Sequence, residues 1–335
     1  MILTILQKQL LPEIENRLKY FLQSLNFGQS LRLYEMISYH MGWEDEGGSH
    51  GKRIRPFLSL LCAGALNGSI QNTMPGAVAI EYLHNFTLIH DDIEDNSPIR
   101  HGRPTLWQKW GLAQAVNAGD ALFSIAQLSI LSLNETCDEV TALKASKAFN
   151  HTCLHLTRGQ YLDIAFESSQ DIDVSTYFDM IGGKTAALIG FSTYLGGLTA
   201  HVGERQLELL EAFGSSLGMA FQIQDDYLGI WGDPHKTGKS AATDLLTRKK
   251  SLPILFGLKH SKDFKNIWNK EKISAENVDT FAKMLVACGA QDFIQAKAQQ
   301  YTEKAFKALH ELFPTENEYI KALNELTETL LNRNS

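Results

Sequence analysis

Leu88-Ile-His-Asp-Asp-Ile-Glu-Asp95 closes a long apolar segment that begins near Ala77 and sets Asp91, Asp92 and Asp95 at its end. Phe221-Gln-Ile-Gln-Asp-Asp226 repeats the arrangement in the other half of the chain. Carboxylates at i and i+4 share one face of a helix, and Gln222, Asp225, Asp226 and Gly229 follow a single i, i+3, i+4, i+7 stripe. Ionised oxygens that converge repel one another unless a hard cation lies between them. Carboxylates suit Mg²⁺, which keeps several waters and is completed by the oxygens of a substrate phosphate. One acidic cluster is most often a solvated helix end. Two matched clusters, each reached by an apolar helix, predict a metal and diphosphate site between two helices.

Helical periodicity extends from end to end and no sustained alternation of the strand type interrupts it, so the expected fold is all-α. The spacing predicts helices over 4–26, 30–42, 56–67, 75–95, 112–133, 138–167, 173–182, 185–200, 204–231, 252–260, 275–288 and 290–333. No stretch has the composition of a linker, and residues 1–335 are expected to form a single domain. Each acidic helix runs into a polar loop carrying Arg or Lys: Asn96 to Thr105 after the first, Gly232 to Lys239 after the second.

The net charge of −7 and pI near 5.9 argue against nucleic-acid binding, which wants a basic face. Cys62, Cys137, Cys153 and Cys288 have no metal-ligand spacing and read as reduced thiols of a cytoplasmic protein. At the N-terminus, Gln7, Lys8 and Gln9 cut the apolar run too early for a signal-peptide core. Ala186 to Gly203 is the nearest approach to a membrane span, but its Gly, Ser and Thr content and its length favour a buried helix over stable membrane insertion.

In so acidic a chain the placement of the cations carries information. Lys52, Arg53 and Arg55 follow a glycine-rich loop at a helix start, where unpaired N–H groups and the dipole favour anions. Arg100, Arg103, Lys184, Lys239 and Arg248-Lys-Lys250 lie near further helix junctions. His84 precedes Asp91 by two helical turns, on nearly the same face, whereas His90 has no such placement and is expected to pack.

Taken in order, Gly51-Lys-Arg-Ile-Arg-Pro56, Glu81-Tyr-Leu-His84, Asp91-Asp-Ile-Glu-Asp95 with Arg100-His-Gly-Arg-Pro-Thr105, Gly159-Gln160 with Asp163, Lys184-Thr185, Phe221 to Asp226, Gly238-Lys239 and Lys249-Lys-Ser-Leu-Pro253 resemble a trans-isoprenyl diphosphate synthase of the polyprenyl synthetase family over nearly the whole chain. The resemblance implies a helical bundle around a central cavity and a homodimer. It also implies that Asp91, Asp92 and Asp95 face Asp225 and Asp226 and hold Mg²⁺ on an allylic diphosphate, which Arg100, Lys184, Lys239 and Lys249 bind as well. Lys52, Arg55 and His84 match positions that bind isopentenyl diphosphate, while Thr185 and Gln222 match groups beside the cationic intermediate.

Two positions depart from that pattern. His101 stands where a second arginine would contact isopentenyl diphosphate, and Gly229 replaces the last aspartate of the second acidic motif. A terpene cyclase or a prenyltransferase using another acceptor would account for His101. A non-catalytic synthase subunit would tolerate eroded acidic motifs, but the set here is nearly complete. For product length, Thr87 is small and shares the face of Asp91, while Phe86 lies to the flank. By resemblance, an aromatic residue at the second of these positions implies geranylgeranyl diphosphate as product, with farnesyl diphosphate the nearest alternative.

Overall fold

The computed structural model describes residues 2–44, 51–169, 172–232, 242–313 and 315–331. Their elements run α1 (Ile2–Ser24), α2 (Leu31–His40), α3 (Ile54–Ala65), α4 (Ile70–Glu94), β1 (Ile99–Arg100), β2 (Arg103–Pro104), α5 (Leu106–Trp110), α6 (Leu112–Leu131), a 3₁₀ turn, α7 (Glu139–Ser168), α8 (Val174–Ile181), a π turn (Gly182–Ala186), α9 (Ala187–Thr199), α10 (Glu204–Trp231), α11 (Thr243–Leu246), α12 (Leu252–His260), α13 (Lys262–Lys270), α14 (Val278–Ala287), α15 (Ala290–Leu312) and α16 (Glu318–Leu331). The all-α expectation holds apart from one two-residue hairpin.

Several boundaries differ for identifiable reasons. α4 starts before Pro75 because the Ser69 hydroxyl caps it, accepting from the Asn72 N–H at 3.2 Å. The expected helix over 290–333 divides after Leu312, close to the proline at 314, and restarts where the Asn317 side chain accepts from the Ile320 N–H at 2.9 Å. α13 was not expected. Ser261 caps it, and Phe264 and Trp268, one turn apart, are its buried face.

The chain forms two compact units, each assembled from non-contiguous segments. The first comprises residues 1–153, 191–208 and 313–325. Its α4 packs on α3 and α6, and α1 lays Leu3, Leu6, Leu10, Ile14, Leu18 and Leu22 inward at helical spacing. The buried Tyr82 hydroxyl of α4 donates to the Leu18 carbonyl. Residues 154–190, 209–312 and 326–335 make the second unit. One of its clusters gathers Phe166, Tyr177, Met180, Ile223 and Leu252, and another gathers Ile230, Leu245, Phe264, Phe281 and Leu285.

α9, within the stretch singled out for its apolarity, buries Leu188, Phe191, Leu195 and Leu198. Among the described residues the helix long and apolar enough to cross a membrane is instead Leu112–Glu135, and 44% of its apolar window is buried. The cysteines are all free, and burial pushes the Cys62 thiol up and that of Cys153 to about 12.

Close approach of α9 to α3 depends on Gly196, where a Cβ would stand 2.5 Å from the Ser59 carbonyl oxygen and 2.9 Å from the Ala63 nitrogen. Gly196→Ala is expected to destabilise the protein by about 1–3 kcal/mol. Gly203→Ala, whose Cβ meets nothing within 4 Å, should stay within about 0.5 kcal/mol of the parent. Urea midpoints compare the two; equal midpoints would contradict this packing.

Candidate functional site

In the first unit the site is built around arginines. Arg53 takes a left-handed conformation, φ 46°, immediately before α3. Its guanidinium donates to Glu15 at 2.9 Å, Glu81 at 2.7 Å and the Met41 carbonyl at 3.2 Å. A buried cation so paired is structural. Lys52 remains exposed, and Arg55 turns toward α4, where its Nη1 donates to His84 Nε2 at 3.2 Å. Arginine is a donor only, so His84 accepts at Nε2 and carries its proton on Nδ1. The Arg55 Nε is buried without a hydrogen-bond partner. Burial, then Arg55 and Arg100, hold His84 well below its ordinary pKa.

At the end of α4, Asp92 is 3% exposed and is gripped by Arg100, whose Nε lies 2.9 Å from each carboxylate oxygen. Burial raises the Asp92 pKa and Arg100 opposes the rise. Asp91 is half-buried and Asp95 exposed. His101 and Gly102 both have positive φ, 50° and 76°, as a two-residue hairpin loop of type I′ requires. His101 is exposed, and partial burial together with Arg100 and Arg103 lowers its pKa against the pull of Asp92, so it is neutral at pH 7. His90 packs, as expected, on the Phe86 ring at 4.7 Å, and Phe86 meets Phe123 of α6 at 5.2 Å. The Thr87 hydroxyl is turned onto the His84 carbonyl at 2.7 Å.

The second unit presents Lys184 and Thr185 on the π turn, an irregularity often found at functional sites. Glycines allow α7 to meet that turn backbone to backbone: a Cβ on Gly159 would lie 2.2 Å from the Lys184 nitrogen, and one on Gly183 2.5 Å from the His155 carbonyl oxygen. Lys184 Nζ pairs with Asp163 at 2.6 Å. The Thr185 hydroxyl donates to Gln222 at 2.9 Å, and the Gln222 amide donates to Asp226 at 3.1 Å. Asp226, 2% exposed, also accepts from the Tyr177 hydroxyl and from the Leu252 N–H at 2.9 Å. Burial raises its pKa to about 6 against Lys249 and these donors.

Asp225 is half-buried on the same helix. Burial would lower the Lys249 pKa, but Asp226, Asp244, Asp163 and Asp225 outweigh it and keep the ammonium charged. That side chain is exposed to solvent. Its neighbours do other work. Lys250 caps the end of α7 through the Phe166 and Glu167 carbonyls, and Arg248 lies 4.4 Å over the Trp268 ring. Lys239 lies outside the described residues.

A family model described as polyprenyl synthetase matches residues 33–286. The chain belongs to that family. It is 42% identical over 230 residues to a (2E,6E)-farnesyl diphosphate synthase of Mycobacterium tuberculosis H37Rv, a match covering 67% of this chain and 63% of that protein. The chain thus spans just under two thirds of that relative's length. A geranylgeranyl diphosphate synthase of Sulfolobus acidocaldarius is 34% identical over 328 residues, covering 96% of this chain and 97% of the relative. Among solved structures, a polyprenyl synthetase from Streptomyces coelicolor A3(2) superposes with a TM-score of 0.88 at 31% identity, covering 98% and 99% of the two chains.

Polyprenyl synthetase membership makes the Gly229 departure informative. A Cβ there would stand 2.6 Å from the carboxylate carbon of Asp244, so a carboxylate from α11 fills the space beside the acidic stripe where α10 itself carries none. Sequence reasoning missed Asp244, Tyr177 and the structural role of Arg53. Asp163 belonged to a quoted motif without a role. Gly229 is the sequence feature that points to a stand-in carboxylate.

Each unit offers carboxylate oxygens of the kind a hard cation takes, with Asp91 and Asp95 less enclosed than Asp92 in the first and Asp225 less enclosed than Asp226 in the second. Among the described residues, no three metal-ligating side chains gather closely enough to hold an ion unaided.

The suppressed histidines give the fold an acid limit. His84 and His40, the latter driven from 6.5 to about 3 chiefly by burial and then by Arg100 and Arg53, are neutral when folded. Unfolded, they bind protons near pH 6.5, so stability falls as pH drops below that value, at about 1.4 kcal/mol per pH unit for each ring. Asp226 acts oppositely between its ordinary 3.8 and about 6, where the folded form binds the proton first. His84→Gln should remove about one proton from the pH dependence of urea-measured stability between roughly pH 6 and pH 4.5. An unchanged slope would mean that His84 is already charged in the folded protein.

Proposed function

We propose that the protein condenses isopentenyl diphosphate with an allylic diphosphate, head to tail, to give a short all-trans prenyl diphosphate. The observation that carries this is Arg55, an inward-turned guanidinium whose Nη1 is bonded to a neutral imidazole and whose buried Nε has no hydrogen-bond partner. Glu81, the carboxylate acting on it, is already bound to Arg53. An uncompensated buried charge is costly and is relieved by an arriving anion. Lys52, Arg55 and His84 are assigned to isopentenyl diphosphate, and Arg100, Lys184, Lys239 and Lys249 to the allylic diphosphate.

Asp91, Asp95 and Asp225 would hold Mg²⁺, with Asp92 orienting Arg100 and Asp226 anchoring Gln222 and α12. Bound there, Mg²⁺ supplies charge neutralisation for the leaving diphosphate. Lys184 and Lys249 add fixed positive charge to the same oxygens, and the Thr185 and Gln222 dipoles face the allylic cation. No side-chain nucleophile takes part, and the departing diphosphate accepts the final proton. Apolar walls keep water from quenching the cation. A gate formed by Gly232 to Lys239 falls almost wholly outside the described residues.

The relatives' names divide between farnesyl and geranylgeranyl diphosphate synthases. We favour geranylgeranyl diphosphate, with the Phe86–Phe123 pair as the floor beneath Asp91. The exposed Leu112, Leu128 and Leu131 of α6 favour a second copy of the chain as partner. His101 leaves an alternative acceptor as the competing reading. Incubation with Mg²⁺, isopentenyl diphosphate and each short allylic diphosphate distinguishes the two, since the competing reading leaves isopentenyl diphosphate unconsumed.

Asp91→Ala and Asp225→Ala should each lower turnover at least ~100-fold while leaving the melting temperature nearly unchanged, because each removes charge stabilisation at the leaving group. Product formation measured beside thermal melting tests this; normal turnover in either folded variant, or in EDTA, rules out metal-assisted ionisation. Phe86→Ala should lengthen the product by at least one isoprene unit. Chromatographic sizing of dephosphorylated products reads the change, and an identical distribution would place the floor elsewhere.

A further inference from the structure

His40 ends α2, outside every motif that the function has absorbed. The carbonyls on either side of it each hold an arginine: Tyr39 accepts from Arg103 Nη2 at 2.8 Å and Met41 from Arg53 Nη2 at 3.2 Å. The Tyr39 hydroxyl donates to the Pro104 carbonyl at 3.0 Å, tying α2 to the hairpin that carries Arg100 and His101. Between these anchors the imidazole Nε2 is buried without a hydrogen-bond partner, as is Arg55 Nε. Buried polar atoms are satisfied as a rule, so two orphans in one basic neighbourhood require an account.

The charged groups acting on this neighbourhood come from every surrounding element. α1 brings Glu15, the start of α3 brings Arg53 and Arg55, α4 brings Glu81, His84, Asp92 and Asp95, and the hairpin brings Arg100, His101 and Arg103. The enclosed carboxylates in that set are already engaged, Glu15 and Glu81 with Arg53 and Asp92 with Arg100, while Asp95 is exposed to solvent. Among the enclosed groups positive charge is therefore in excess, and the His40 and His84 rings remain neutral.

We propose that His40 is a further residue of the isopentenyl diphosphate site, and that this diphosphate binds together with a proton taken from solvent onto the His40 ring. The inference rests on the substrate assignment made above. His84 is the poorer acceptor, because its Nε2 already receives the Arg55 hydrogen bond and protonation there would break it. Protonating the orphaned His40 ring breaks no such bond. Arg100, Arg53 and Arg103 repel a proton from His40 in the free protein, and the negative charge of a diphosphate arriving beside Arg55 and His84 would offset that repulsion. A proton gained on binding makes affinity rise as pH falls.

Titration calorimetry of isopentenyl diphosphate into the full chain, in Pipes and in Bis-Tris, gives the protons taken up from the difference in observed enthalpy. The parent should take up about one proton more than His40→Gln near pH 7, and the variant should lose roughly tenfold in affinity at pH 6 but little at pH 8.5. The ligand's own ionisation is common to both proteins and cancels. Equal uptake in the two overturns the role of His40 while leaving the substrate assignment intact, whereas no binding by the parent overturns both. Should the variant fail to fold, ¹⁵N-histidine NMR of the parent replaces it: ring nitrogens of His40 moving to imidazolium shifts on ligand addition support the proposal, and unchanged neutral shifts refute it.

Discussion

Arg53 is the junction on which the first unit depends. Its guanidinium joins Glu15 of α1, the Met41 carbonyl just after α2, and Glu81 of α4, so one side chain ties three elements to the start of α3. Removing one partner of such a buried pair costs about 3–5 kcal/mol, because the remaining charge is stranded. The left-handed backbone at Arg53 has a directional effect as well. It turns the chain so that Lys52 stays in solvent while Arg55, two residues on, enters the interior beside His84. The pairing that stabilises the fold thus also consumes the nearby carboxylates, and the second arginine is left for a ligand.

A division of labour follows in both acidic motifs. Within each adjacent pair of aspartates one is buried and held, Asp92 by Arg100 and Asp226 by Tyr177, Gln222 and the Leu252 amide, while Asp91 or Asp225 is less enclosed. Neighbouring residues on a helix point about 100° apart, so the two members of a doublet cannot share one task. The inner carboxylate fixes the helix and its basic partner, which sets the direction of the outer one. Raised pKa values at both inner positions have the same origin: burial outweighs the donors that oppose it.

The helical period made the architecture legible, because long apolar stripes such as that of α1 can be counted directly from the sequence. Short elements were not. α5 and α11 are too brief for a period to emerge, and the hairpin is set by positive φ at His101 and Gly102 rather than by alternation. The π turn was invisible for a related reason, since it depends on backbone contact between Gly159 and Gly183, which lie on separate segments. In the site, the residue types that bear charge were legible from order and spacing. Their partners were not: nothing in the sequence ties Tyr177 to Asp226, or places the Asp244 carboxylate over Gly229, because both pairings arise only when distant helices meet.

Stability and binding therefore compete in the arginine-rich part of the first unit. The free protein keeps Arg55 buried with an orphaned Nε and suppresses ionisation of His84 and His40, an arrangement that lowers stability in acid. On the proposed assignment the same arrangement prepares the site for an anion, since the donors are already desolvated and would need little reorganisation when a diphosphate enters. A carboxylate introduced beside Arg55 would relieve the strain of the free state and occupy the guanidinium that the ligand requires. The excess positive charge is thus tolerated because Arg53 anchors the surrounding helices firmly enough to bear it.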